Sequence, residues 1–256
     1  MAKAIGIFDS GIGGLTVASA IKHQFPNQPI IYFGDTLHLP YGDKSPQSIK
    51  SYIRKIAKFL YEAGCSDLVV ACNSASSVMG QIQELPNFRQ IINVIDPVVE
   101  QIAISKDLRK VGVIGTKRTI KSGVYGTKIK QLRPDIEVVE RATPLLAPMI
   151  EEGFIHGEIA HQVVHAYLEE LRDVDALILG CTHYPLIKKE VQDFLGPNVQ
   201  LFDAPDLVAN QITDDINLET NPDKFYVSDY TTSFEKTAQR FFGEAIHLEK
   251  CTLFDY

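Results

Sequence analysis

Short, uninterrupted runs of apolar and β-branched residues recur along the chain and constrain its fold more than any other feature. The runs lie at residues 5–8, 30–33, 68–71, 91–95, 111–114, 136–139 and 176–179. A run that is continuously apolar, and does not alternate with polar residues, is typical of a strand buried on both faces of a parallel sheet. The sequence therefore predicts a series of such strands.

Amphipathic helical patterns separate the predicted strands. The clearest begins at Ser45, has Pro46 in its first turn and stops at Gly64, and all three residue types are common at those helix positions. Its apolar residues fall on one stripe, which suits a helix packed on the outside of a sheet. Further helices are predicted for residues 158–171 and 233–242. Alternating strands and helices predict an α/β fold.

Two places in the chain suit a domain boundary. One is Asp96-Pro97, and the other is the polar stretch at residues 213–224. We predict one α/β domain from residues 1–96 together with 213–256, and a second from residues 97–212. A length of 256 residues is sufficient for two such domains.

Charge and hydropathy limit the partners that the chain can have. The formal net charge is −7, and no dense run of lysine and arginine occurs, which argues against nucleic acid or an anionic membrane as the main partner. The first apolar run is interrupted by Asp9 and Ser10, so it is too short for a signal peptide or a membrane span. We expect a cytoplasmic protein that acts on a small molecule.

Two of the four cysteines occur in matching surroundings. The matching segments are Val69-Val70-Ala71-Cys72-Asn73-Ser74 and Leu177-Ile178-Leu179-Gly180-Cys181-Thr182. In each, the cysteine follows a predicted buried strand, which is where open α/β sheets bind their ligands. Two such strand ends facing each other would form a cleft between two related halves.

The surroundings of Cys72 and Cys181 suit acid/base chemistry. The amide groups at the start of a helix stabilise the thiolate form of a nearby thiol. His183, in addition, could share the proton of Cys181. A single cysteine of this kind is more often a small buried hydrophobic residue, whereas two in matched positions favour chemistry. Cys65 and Cys251 lack such a context and are interpreted as structural.

A metal site is not predicted. His161 and His165 are spaced one helical turn apart and could bind a metal ion. No glutamate of the zinc-protease pattern lies between them, however, and no third ligand is evident.

Glycine- and proline-containing loops follow the first two predicted strands. They are Asp9-Ser10-Gly11-Ile12-Gly13-Gly14, Gly34-Asp35-Thr36 and Pro40-Tyr41-Gly42. The first has neither the dinucleotide-binding nor the P-loop spacing. Each loop is compatible with an ordinary turn or with a loop whose amides, and the Tyr41 hydroxyl, face a ligand.

Taken in order and spacing, five motifs resemble those of the bacterial glutamate racemases, within the wider family of aspartate and glutamate racemases. The motifs are Phe8-Asp9-Ser10-Gly11-Ile12-Gly13-Gly14-Leu15-Thr16-Val17, Gly34-Asp35-Thr36, Pro40-Tyr41-Gly42, Ala71-Cys72-Asn73-Ser74-Ala75-Ser76 and Gly180-Cys181-Thr182-His183-Tyr184-Pro185. The resemblance implies two α/β domains with the active site between them. It also implies catalysis without pyridoxal phosphate, a metal or any other cofactor.

The resemblance assigns roles to individual residues. It implies that Cys72 removes the α-proton of D-glutamate and that Cys181 removes that of L-glutamate. By the same resemblance, Asp9 assists Cys72, His183 assists Cys181, and Glu151 is an additional acidic group near the second thiol. The residues implied to contact the substrate are Asp9, Ser10, Pro40, Tyr41, Gly42, Cys72, Asn73, Ser74, Thr116, Thr119, Cys181, Thr182 and His183.

One position departs from the family pattern. The first cysteine motif usually reads Cys-Asn-Thr, and here Ser74 replaces the threonine. We expect the hydroxyl hydrogen bond to survive with looser placement. The resemblance further implies D-glutamate for peptidoglycan as the product, and it leaves open whether the chain forms a homodimer.

Other functions fit parts of the sequence. An aspartate racemase uses a similar cysteine pair, although the His183-Tyr184-Pro185 continuation favours glutamate. A non-catalytic amino-acid binding protein could keep the same fold and cleft. A thiol redox enzyme is disfavoured because no Cys-x-x-Cys motif occurs.

Overall fold

A computed structural model describes residues 4–213 and 222–253. The strands of this part of the chain are β1 (Ala4–Asp9), β2 (Ile30–Gly34), β3 (Cys65–Val70), β4 (Gln90–Asn93), β5 (Lys110–Gly115), β6 (Glu137–Ala142), β7 (Ala176–Gly180), β8 (Gln200–Phe202), β9 (Lys224–Val227) and β10 (Leu248–Lys250). Each of the predicted apolar runs coincides with one of β1 to β7. Strands β8, β9 and β10 were not predicted.

The strands form two parallel sheets. One has six strands in the order β10-β9-β2-β1-β3-β4, and the other has four in the order β6-β5-β7-β8. All pairings of neighbouring strands are parallel. The predicted α/β class with two parallel-sheet units is therefore confirmed.

The α-helices of the described residues are α1 (Leu15–Gln24), α2 (Pro46–Glu62), α3 (Asn73–Ser76), α4 (Asp96–Ile104), α5 (Lys117–Ser122), α6 (Val124–Leu132), α7 (Leu146–Glu151), α8 (Glu158–Leu168), α9 (Lys188–Leu195), α10 (Pro205–Ala209) and α11 (Thr232–Phe242). Helix α2 starts as predicted, because Ser45 Oγ accepts a hydrogen bond from Ser48 N. The pattern at residues 158–171 divides into α8 and a 3-10 turn, Glu169–Leu171.

The largest hydrophobic core joins the two sheets. Ile7 of β1 and Val113 of β5 belong to the same buried cluster, and α1 packs against α10. A second cluster lies beneath α2 and contains Phe8 and Leu68. The predicted boundaries at residues 96/97 and 212/213 stay a prediction, and residues 214–221 of the second one lie outside the described part of the chain.

None of the helices in the described ranges combines the length and the apolar composition that a bilayer crossing requires.

Candidate active site

A cavity of about 190 Å³ lies where the carboxyl ends of strands from the two sheets meet. Its walls come from the segments that follow β1, β2 and β3 in one sheet and β5 and β7 in the other, together with α7. The lining residues are Ser10, Gly11, Leu39, Pro40, Tyr41, Gly42, Cys72, Asn73, Ser74, Thr116, Ala147, Pro148, Glu151, Cys181, Thr182 and His183. This location is the usual ligand site of open α/β sheets.

Cys72 lies between the end of β3 and the first residue of α3, where its side chain is buried. Its thiol donates a hydrogen bond to Ser10 Oγ over 3.5 Å. Burial raises the pKa of Cys72 well above its ordinary value, and the charge of Asp9 raises it further. Hydrogen bonds that Ser10 and the Ala75 amide can donate to the thiolate form oppose this rise without reversing it. The helix amides thus act in the predicted direction, but desolvation outweighs them, and the net effect in the free protein is to favour the thiol.

Asp9 ends β1 behind the cavity wall and is almost fully buried. Its Oδ2 accepts a hydrogen bond from Gly11 N over 3.0 Å, whereas Oδ1 has no hydrogen-bond partner among the described residues. Burial raises the pKa of Asp9, although the charge of His183 and nearby backbone amides oppose that rise. The carboxyl group thus holds its proton more tightly than an exposed aspartate does.

Cys181 forms a chain of polar contacts with His183 and Glu151. Cys181 Sγ lies 3.6 Å from His183 Nδ1, and His183 Nε2 lies 2.7 Å from Glu151 Oε1. Burial alone would lower the pKa of His183, but Cys181 and Glu151 together raise it well above its usual value. A protonated His183 can stabilise negative charge on the Cys181 sulfur.

The loop after β1 touches the segment that carries His183. A Cβ atom on Gly13 would lie 2.3 Å from both Cε1 and Nδ1 of the His183 ring, so only glycine fits there. The side chain of Thr16 donates a hydrogen bond to Thr182 O over 3.0 Å. The glycine-rich loop therefore brings the two sheets together at the cavity, which the sequence interpretation had not assigned to it.

The segment after β2 is held by a buried carboxylate. Asp35 accepts hydrogen bonds from the Tyr41 hydroxyl at 2.6 Å and the Ser228 hydroxyl at 2.8 Å, and it also faces His38 Nδ1 at 2.8 Å. Tyr41 lines the cavity, and its hydroxyl donates its proton to Asp35. The network fixes Pro40 to Gly42 against the cavity.

Polar side chains on the other wall are linked across the two sheets. Tyr125 donates a 2.7 Å hydrogen bond to Asn73 Oδ1, and Ser74 Oγ lies 2.8 Å from Thr116 Oγ1. Thr119 Oγ1 lies 3.1 Å behind Thr116 Oγ1. Thr119 and Asp9 are thus placed behind the cavity wall, whereas the other residues predicted to contact the substrate line the cavity itself.

Comparisons with known proteins agree with this geometry. The family model described as Asp/Glu/Hydantoin racemase matches residues 15–212. The chain belongs to this racemase family. A glutamate racemase from Geobacter metallireducens is 40% identical over 94% of the chain and 93% of its own length. One from Aquifex aeolicus is 40% identical over 94% of the chain and 95% of its own length.

A solved structure extends the similarity to three dimensions. The glutamate racemase from Francisella tularensis, in complex with D-glutamate, superposes with a TM-score of 0.90 at 35% identity. The match covers 100% of this chain and 99% of that one. The resemblance to bacterial glutamate racemases that the motifs indicated is confirmed.

Some residues of this racemase-family cavity were missed by the sequence interpretation. Leu39 and Ala147 line it, but apolar residues in loops carry no chemical signature. Phe241 of α11 packs against the His183 ring, with ring centres 5.0 Å apart, and Arg240 Nη1 lies 3.3 Å from the Glu151 carbonyl oxygen. The amphipathic pattern of α11 was the only feature of the sequence that could have indicated these two contacts.

The cysteines and histidines that were interpreted as outside the site do not line the cavity. Cys65 and Cys251 do not line the cavity, and both are free thiols. The rings of His161 and His165 lie 6.1 Å apart on α8. Across residues 4–213 and 222–253, no cluster of three or more histidine, cysteine or acidic residues is arranged to hold a metal ion.

Proposed function

We propose that the chain is a glutamate racemase that moves the α-proton of free glutamate between Cys72 and Cys181, without pyridoxal phosphate or a metal. The observation that carries the proposal is that these two thiols, delivered by different sheets, line one cavity. Relatives named as glutamate racemases, which match nearly the full chain, support glutamate as the substrate.

Two thiols supply what racemisation requires. The reaction needs a base on one face of the α-carbon and an acid on the other, whereas a single group would tend to return the proton to the face it left. Each positioned acid or base contributes about 10²–10⁴ in rate. Loss of either thiol should therefore nearly abolish turnover.

The two sides of the cavity differ in how they hold protons. On one side, Glu151 supports the protonated form of His183, and His183 Nδ1 lies 3.6 Å from the Cys181 sulfur. This places a cation beside Cys181 when the sulfur acts as the base toward L-glutamate. On the other side, burial keeps Cys72 as a thiol, which can donate its proton to the opposite face and give D-glutamate. The reverse reaction uses Cys72 as the base and Cys181 as the acid.

The cavity wall offers donors for the substrate's carboxylates. Hydroxyl groups of Ser10, Ser74, Thr116 and Thr182 and the amide of Asn73 all line it. Hydrogen bonds to charged groups are stronger than neutral ones, and in an enclosed site they also stabilise the negative charge that develops next to the carboxylate. We assign these residues to substrate binding.

The deciding experiment follows L-glutamate in deuterated water without added cofactor. Optical activity should fall while deuterium enters the α-position of the D-glutamate formed. Cys72→Ser and Cys181→Ser should each lose nearly all turnover, and Cys251→Ser, outside the cavity, should retain it. If glutamate binds with neither signal changing, the chain is an amino-acid binding protein and the proposal fails.

The alternative substrate is aspartate, which is one methylene shorter than glutamate. A missing methylene in a fitted pocket costs about 1–3 kcal/mol, or roughly 10–200-fold in specificity. We expect kcat/KM for L-glutamate to exceed that for L-aspartate by at least about tenfold. A higher value for L-aspartate would reassign the substrate within the family.

A wider role follows from the proposed reaction. D-glutamate would be supplied for peptidoglycan and thus for the cell wall and cell shape, and the reaction would take place in the cytoplasm where free glutamate is available. A homodimer would also be compatible with this role. Sedimentation of the purified protein at several concentrations tests the oligomeric state.

A further inference from the structure

A second cavity, of about 470 Å³, opens beside the candidate active site, and half of its lining residues are cationic. Its cationic side chains are Lys44, Lys117, Arg118 and Lys121, and its one acidic side chain is Asp43. Four cations against one carboxylate leave a local excess of three positive charges. The chain as a whole carries a formal charge of −7, so this concentration of positive charge opposes the general trend.

The protein itself neutralises little of this charge. Lys117 Nζ lies 3.5 Å from Asp43 Oδ1, and both side chains are 61% exposed, so water screens the pair. Lys44, Arg118 and Lys121 have no ion-pair partner within residues 4–213 and 222–253. Arg118 Nε is a buried donor without a hydrogen-bond partner in the same part of the chain. Like charges held together repel each other, so an anion bound among these side chains would be stabilised by them.

The cavity is separate from the substrate site but adjacent to it. Lys44 follows the short turn Tyr41–Asp43, whereas the other three cations lie on α5. Gly42 lines both cavities, and a Cβ atom on it would lie 3.0 Å from Thr116 Cβ. An anion between Lys44 and α5 would therefore bridge the same two segments that meet at the active site.

We propose that this basic cavity is a binding site for a small phosphate-bearing anion. Arginine and lysine are the usual partners of phosphate oxygens, arginine through paired N–H donors and lysine as a point charge. The open cavity of about 470 Å³ has room for such an occupant. Several charges on that occupant would match the excess of cations.

Titration calorimetry with inorganic pyrophosphate, in a metal-free buffer, tests this site. One pyrophosphate should bind per chain. Arg118→Gln and Lys121→Gln should each weaken its binding by about tenfold or more, because each removes a charge-assisted hydrogen bond. Lys58→Gln is the matched control, since Lys58 is exposed and lies on α2 about 18 Å along the helix from Pro46. Equal melting temperatures of the variants exclude misfolding as the cause.

Two results would overturn the proposal. One is the absence of pyrophosphate binding, or binding that Arg118→Gln and Lys121→Gln leave unchanged. The other is displacement of pyrophosphate by saturating L-glutamate, which would place the anion in the substrate cavity. Binding is measured without turnover, so this test remains decisive even if racemase activity is not found.

Discussion

Glu151 Oε1 lies 2.7 Å from His183 Nε2, on the opposite side of the imidazole ring from Cys181. The carboxylate thus stabilises the protonated ring at the nitrogen that does not face the thiol. Together with Cys181 it raises the pKa of His183, overcoming the effect of burial. This arrangement predicts how the pH dependence of the reaction responds to mutation.

Glu151→Gln should move the loss of activity at alkaline pH to a lower pH. His183 loses its proton when the pH rises through its pKa, and removal of the carboxylate lowers that pKa. At alkaline pH kcat/KM should therefore fall below the wild-type value, whereas at acidic pH the two proteins should differ less. The measurement is kcat/KM between about pH 6 and pH 10.

The neighbouring residue provides the control for this variant. Glu152 is exposed and lines no part of the cavity, so Glu152→Gln should reproduce the wild-type profile. If Glu151→Gln changes kcat/KM equally at every pH, Glu151 acts through packing and not through the protonation of His183.

Gly13→Ala should impair the active site more than the fold. The new methyl group would lie 2.3 Å from two atoms of the His183 ring and 2.7 Å from Thr182 Oγ1. Overpacking of this kind costs about 1–3 kcal/mol of stability. A displaced catalytic group costs about a hundredfold in rate, so kcat should fall by that order. Thermal melting and steady-state kinetics on the same preparation measure both effects.

Gly80→Ala is the matched glycine control. A Cβ atom on Gly80 would meet nothing within 4 Å, so melting temperature and kcat should stay at wild-type values. A Gly13→Ala protein with wild-type kcat would show that the His183 ring does not have to occupy the observed position.

A strand could be predicted from the sequence where its burial on both faces of the sheet produces an uninterrupted apolar run. Strand β7 is fully buried, and the apolar run at residues 176–179 predicts it. Strand β9 alternates between exposed and buried positions and β10 has three residues, so neither produces such a run. Their pairing with β2 and with each other depends on contacts distant in sequence.

The candidate site could be predicted from the sequence where a reactive residue directly follows a predicted buried strand. Cys72 and Cys181 each carry a reactive group directly after a buried strand, and the structure places both in one cavity. The protonation state of Cys72 could not be predicted from the sequence in the same way. The start of α3 next to Cys72 indicates stabilising amides, but the extent of desolvation is set by residues from several segments that only the folded chain assembles.

Ser74→Ala should weaken glutamate binding, whereas Ser74→Thr should leave it unchanged or strengthen it. Ser74 Oγ lies 2.8 Å from Thr116 Oγ1, and threonine keeps this hydroxyl while its methyl group restricts side-chain rotation. Alanine removes the hydrogen bond, which is worth about 0.5–1.5 kcal/mol. We expect KM to rise about three- to tenfold for alanine and to stay equal or fall for threonine. A higher KM for threonine than for alanine would mean that the cavity has no room for the methyl group.

Alkylation of the free protein by iodoacetamide should report the protonation of Cys72. The thiolate is the reactive form, and burial together with the charge of Asp9 keeps Cys72 protonated. At about pH 8.5, Cys72 should therefore react at least about tenfold more slowly than Cys251, which is less buried and serves as a reference within the same molecule. Peptide mass spectrometry resolves the two rates.

Asp9→Asn separates the contribution of charge from that of burial. The asparagine oxygen can still accept the hydrogen bond from Gly11 N, so the loop after β1 should keep its conformation. Removal of a like charge lowers the pKa of Cys72, and its alkylation rate relative to Cys251 should rise several-fold. The racemase rate should nevertheless fall, because the family resemblance implies that this carboxyl group assists proton transfer at Cys72. An unchanged alkylation ratio with reduced racemisation would show that Asp9 acts on the substrate's proton transfer without setting the protonation of Cys72.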